Sequence, residues 1–114
     1  MSYTYIEELT KDFEVPKNGI LSRVLQKDDR TNITLFAFSA GQELSAHHAP
    51  FPATIYVLQG EATFRLGDDT VEAKAGALIH MQPHLPHAIS AKTPMMMLLI
   101  LGKGAADTKG APAC

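Results

Sequence analysis

The five histidines of this chain, His47, His48, His80, His84 and His87, all fall between residues 47 and 87. Neutral imidazole is a good ligand for zinc, iron, nickel or manganese. A divalent metal needs three or four ligands converging from separate elements. A pair and a trio of imidazoles can converge if Gly41–Gly60 and Gly76–His87 lie on neighbouring strands. Any one histidine beside a proline turn reads as an ordinary loop residue. Five in one region make a shared cavity worth testing. Along a strand, residues two apart share a face and neighbours face opposite ways. His47 and His48 therefore cannot both point inward from a regular strand, and only a bulge would aim both at one centre. His80 and His84 have equal parity, but Pro83 interrupts the strand between them. His87 follows Pro86, so a rigid turn sets its direction. No catalytic residue is assigned: Asp68 and Asp69 read as turn formers, and Glu43 and Glu61 as solvated strand positions.

The elements that must position these histidines read as strands. Thr31–Ser39 and Thr54–Leu58 are rich in β-branched and aromatic residues. Glu61–Leu66 and Thr70–Ala75 alternate apolar and polar residues around a Gly67-Asp68-Asp69 turn, which predicts a hairpin with one wet face. Ile20–Gln26, Ala77–Met81, Ala88–Lys92 and Met95–Leu101 complete a series of short strands, as in a sandwich or barrel. Ile6, Leu9 and Phe13 share one helical face and predict a short N-terminal helix, ended by Pro16 and Gly19. The segment 103–114 is small, polar and unpatterned, and reads as a flexible tail behind a single domain over residues 1–102.

Composition bounds the rest. The chain has 114 residues, 46% of them hydrophobic and 19% charged, which argues against disorder. Its net charge is −2, and its basic residues form no cluster, so nucleic acid is not an expected partner. The longest apolar run, Met95–Leu101, is too short to cross a bilayer, and the N-terminus lacks the pattern of a signal peptide. Cys114 is the one cysteine, so no internal disulfide can form, in keeping with a cytoplasmic location.

Two motifs resemble those of the cupins. Gly41, five residues and His47 match the start of the usual first motif, and Tyr56-Val57-Leu58-Gln59-Gly60-Glu61 its close. Gly76, Pro83 and His87 fall at the glycine, proline and histidine of the usual second motif. The resemblance spans about Ile20 to Leu101. It implies an all-β fold, a double-stranded β-helix (jelly-roll) barrel. In metal-dependent cupins three histidines and a glutamate hold the ion. Here only His47 and His87 stand at matching positions, and the second histidine and the glutamate would fall at Ala49 and Ala53. His48 and His80 are the available replacements. They come from this sequence rather than from the family pattern.

Three functions follow as expectations. One is a metal-dependent isomerase, dioxygenase or decarboxylase with His47, His87 and either His48 or His80 as ligands. Another is a metal-free module binding or sensing a small molecule in a pocket lined by Phe36, Phe38, Phe64 and Met81. The third is acid–base catalysis by a histidine pair with split pKa values. Small cupins usually dimerise, and the apolar runs Ile20–Gln26 and Met95–Leu101 need cover, so a homodimer is expected.

Overall fold

The computed structural model describes residues 3–103. Nine strands follow one another: β1 (Ile20–Lys27), β2 (Thr31–Phe38), β3 (Glu43–His47), β4 (Ala53–Gln59), β5 (Glu61–Leu66), β6 (Asp69–Lys74), β7 (Leu78–Met81), β8 (His87–Ala91) and β9 (Met95–Gly102). They form two antiparallel sheets, one ordered β1-β2-β9-β4-β7 and the other β3-β8-β5-β6. The core lies between the sheets. Phe38, Ile55, Val57, Met95, Met97, Leu99 and Leu101 from the larger sheet meet Ala62, Phe64, Ile89 and Ala91 from the smaller one. This is the expected jelly roll.

The unbroken apolar run of β9 has a structural cause. β9 lies between β2 and β4 and is covered on both faces. Met95, Met97, Leu99 and Leu101 point into the barrel. Met96 joins Leu35, Ala37 and Phe13 in a second cluster on the outer face, with Leu98 packed against it. A strand buried on both faces reads as continuously apolar rather than alternating. Met95–Leu101 therefore needs no partner chain as cover, contrary to the premise drawn from its sequence. The edge strands are β1 and β7, and β3 and β6.

The second cluster also settles the N-terminal segment, which is not a helix. Residues 7–12 form bends and turns. Their backbone bonds, Lys11 N–H to Glu8 O and Phe13 N–H to Thr10 O, span three residues, and Asp12 has φ of 57°. Three apolar residues give a helix this short too little to hold it. The segment instead buries Phe13 on the sheet. The Arg23 guanidinium lies 4.9 Å from the Phe13 ring centre and donates to Lys11 O at 3.1 Å and Asp12 O at 3.0 Å. The tail beyond residue 103 lies outside the described residues, as does Cys114.

One glycine is required by the architecture. Gly60 sits where the chain leaves β4 of one sheet for β5 of the other, with φ of 84°. A Cβ there would collide with the Pro94 carbonyl and with Met95. The turn closing the β5–β6 hairpin is the tight pair Gly67-Asp68, with Leu66 opposite Asp69.

Candidate functional site

β3 and β8 carry the first pair of histidines. Their register runs Glu43 opposite Ser90 and Leu44 opposite Ile89, then shifts, so that His47 stands opposite His87. Ser45 and Ala46 together face one residue, Ala88. This two-for-one bulge changes the parity of β3. Leu44 packs against the core, and three residues later His47 follows it to the same side. Without the bulge, His47 would face outward. The bulge does not aim His47 and His48 at one centre. It instead brings His47 to His87, and leaves His48 exposed.

The rings of His47 and His87 lie 4.4 Å apart between centres and are tilted by 58°. Both are held in the same way. His47 Nδ1 lies 2.9 Å from Ser45 O, and His87 Nδ1 lies 2.9 Å from Leu85 O. A carbonyl can only accept, so each Nδ1 carries a proton. His47 Nε2 is buried with no hydrogen-bond partner among the described residues. His87 is 4% exposed. Burial, above all, pushes its pKa below the usual 6.5. The Leu85 carbonyl opposes that shift, and charge on His47 or His48 would add to it. At neutral pH His87 is therefore an uncharged imidazole.

The other histidines lie elsewhere. His48 and His84 form a second, exposed pair with ring centres 6.2 Å apart. His84 has φ of 72°, and its N–H donates to Ala49 O at 2.6 Å, which ties the loop after β3 to the turn before β8. His80 is exposed on β7, next to buried Met81, and so faces out of the barrel. Its Nδ1 lies 2.8 Å from Thr54 Oγ1. The structure does not bring His80 to the His47–His87 pair.

A metal is the group that this fold implies, and the donor set present does not suit one. Among the described residues no three His, Cys, Asp or Glu side chains come together in a way that could hold a metal ion. Ala49 and Ala53 are both 4% exposed and offer no donor. Ala53 pairs with Met81 on one side and Leu101 on the other, within the core. Two imidazoles without further protein ligands seldom hold a divalent metal tightly.

The aromatic and methionine residues expected to line a pocket divide in two. Phe38, Phe64 and Met81 are buried within the core cluster. Phe36 lines a cavity of about 160 Å³. Asn32 and Thr34 line it as well, and sequence reasoning missed both. The signal was available: Asn32, Thr34, Phe36 and Phe38 alternate along one strand and so share a face.

The sequence pattern of the cupin domain family matches residues 34–101, more than half of the chain. The chain belongs to the cupin family. It is similar to a conserved protein of unknown function from Streptococcus pyogenes, at 29% identity and a TM-score of 0.81, covering 91% of each chain. A cupin superfamily protein from Desulfitobacterium hafniense is 28% identical, with a TM-score of 0.82, over 89% of this chain and 95% of that one. A cupin 2 conserved barrel domain protein from Leptotrichia buccalis is 31% identical, with a TM-score of 0.78, over 83% of this chain and 46% of that one. None of the curated proteins matches the chain.

Proposed function

We propose that this cupin binds a small organic molecule inside its barrel, with the imidazole of His47 as a hydrogen-bond acceptor and no resident metal. The observation that carries this reading is the buried, unpartnered His47 Nε2. A buried acceptor left unsatisfied costs about 1–3 kcal/mol, which a ligand's donor group offsets on binding. The neighbouring His87 is kept neutral by burial, so it adds no positive charge beside His47. That favours a ligand with hydroxyl or N–H donors over a carboxylate or phosphate. The single cysteine, at the end of the chain, agrees with the proposed cytoplasmic location.

One observation favours a second reading. An imidazole anchored through Nδ1–H to a carbonyl is also the arrangement that prepares Nε2 for a metal. A metal bound here would need its remaining donors from the ligand itself. Metal analysis of protein purified without an affinity tag or chelator separates the two. The proposal expects well under one zinc, iron, nickel or manganese per chain, and no gain in melting temperature on adding any of them. About one metal per chain, lost in His47→Ala but kept in His84→Ala, would overturn it in favour of the second reading.

A further inference from the structure

Among the described residues, a second buried polar atom lacks a hydrogen-bond partner: Asn32 Oδ1. Asn32 stands on β2 opposite Leu101 of β9 and shares its face with Thr34 and Phe36. These residues line the cavity of about 160 Å³, together with Leu99 and, on its open side, Val24 of β1. The walls are apolar except for the Asn32 amide, the Thr34 hydroxyl and, at the exposed rim, Lys27, which stands opposite Asn32 on β1. An apolar cavity of roughly this size holds a benzene ring.

The position of Asn32 relates it to the histidine pair. The connection from His48 to Pro52 joins the His47 end of β3 to Ala53, the first residue of β4. Ala53 pairs with Leu101, which pairs with Asn32. The two unpartnered atoms thus lie at the same end of the barrel, on facing sheets.

We propose that Asn32 is the polar anchor of a subsite for an uncharged, ring-sized molecule bearing a hydroxyl group. The ring fills the space between Phe36, Leu99 and Leu101, and the hydroxyl donates to Asn32 Oδ1. A carboxylate has no proton to give to this acceptor, and an ammonium would meet the like charge of Lys27. The inference rests on reading the barrel interior as a binding chamber, but not on the role of His47.

The test titrates the full-length chain with phenol and, separately, with benzene, followed by NMR. In the wild-type protein, phenol is expected to shift the Leu99 and Leu101 methyl signals and the Asn32 side-chain amide. In Asn32→Leu, which keeps the branched shape and removes the acceptor, the ratio of phenol affinity to benzene affinity is expected to fall about tenfold. The melting temperature should not fall. The proposal is overturned if phenol leaves those wild-type signals unmoved, or if the affinity ratio is the same in Asn32→Leu. His47→Ala separates this inference from the reading it rests on. Phenol binding that survives His47→Ala but loses its preference in Asn32→Leu supports the Asn32 subsite even if the imidazole reading fails. A preference lost only in His47→Ala overturns the assignment to Asn32.

Discussion

His47 faces His87 at 4.4 Å because β3 holds one residue more than its partner strand across the bulge at Ser45 and Ala46. Deleting Ala46 removes the extra residue and leaves His47 two positions after Leu44, so it stays on the inner face opposite His87. The shortened variant should keep its β-rich circular dichroism, and the NMR signals of the His87 ring should keep their response to His47→Ala. A lost His87 response would contradict the two-for-one register at Ser45 and Ala46.

Replacing His47 by leucine should stabilise the protein. The change removes a buried acceptor that has no partner and leaves an apolar side chain of similar reach. A gain of about 1 kcal/mol is expected, or roughly 5 °C in melting temperature for a domain of this size. Ligand binding at this site should be lost in the same variant, the trade expected where a strained feature serves function. A fall in melting temperature would show that His47 Nε2 is satisfied within the folded chain.

The depressed pKa of His87 fixes a direction for pH dependence. Its folded-state value lies below the ordinary 6.5 because burial disfavours the charged ring. Above pH 6.5 the ring is neutral in both folded and unfolded chains, and contributes no slope. Below pH 6.5 the unfolded chain takes up the proton first, so stability falls as pH drops towards the folded-state value. His87→Gln should flatten that part of the curve in urea unfolding measured across pH. An imidazole that titrates at or above 6.5 in the folded protein would contradict the burial argument.

Two glycines with positive φ should differ in their tolerance of alanine. Gly41 has φ of 86° with open space where a Cβ would go, and Gly41→Ala should cost about 1 kcal/mol of backbone strain. At Gly60 the Cβ also meets the Pro94 carbonyl and Met95. Gly60→Ala should therefore cost about 3 kcal/mol or more. Equal costs in chemical denaturation would remove the packing argument at the β4–β5 corner.

Restoring the family's missing ligands tests why a metal does not suit this site. Ala53→Glu buries a carboxylate beside Met81 and Leu101, and should destabilise the metal-free protein by about 3 kcal/mol or more. In the double variant Ala49→His, Ala53→Glu, added zinc should recover much of that loss, because binding to the folded state alone shifts the equilibrium. Wild-type protein should show no comparable zinc response. A wild-type melting temperature that rises as much as the variant's would mean that His47 and His87 suffice.

Much of the fold was legible because the apolar and β-branched runs are short and evenly spaced. The hairpin Glu61–Lys74 followed from its alternation and its Gly67-Asp68 turn. The N-terminal segment was misread because Ile6, Leu9 and Phe13 fit a helical period by spacing alone. Its structure is decided by Phe13 packing on Leu35, Ala37 and Met96, a tertiary contact that local sequence cannot carry. The match of His47 with His87 was legible from motif spacing. The displacement of His80 was not, since it depends on which face of β7 meets the core. Alternation places Asn32 on the face of Phe36, but the burial of its Oδ1 depends on tertiary packing that local sequence does not carry.

The expected homodimer now rests on β1 and on the outer edge of the larger sheet. Val24 is 59% exposed on β1, and Leu78 is 66% exposed on β7 beside half-exposed Tyr56. Light scattering at micromolar concentration should give twice the chain mass. Leu78→Lys and Val24→Lys should each be tried, and the one that yields monomer marks the interface. A monomer from the unmodified protein would contradict the expectation.

The state of the two imidazoles can be read from their ring nitrogen chemical shifts, in nitrogen-15-labelled protein purified without a tag, near neutral pH. His47 and His87 are both expected to carry a proton on Nδ1, and His47 Nε2 to have the shift of a bare lone pair, which moves when a hydroxyl-bearing ligand is added. A proton on His47 Nε2, or the shift of a metal-bound nitrogen at both residues, would contradict that expectation.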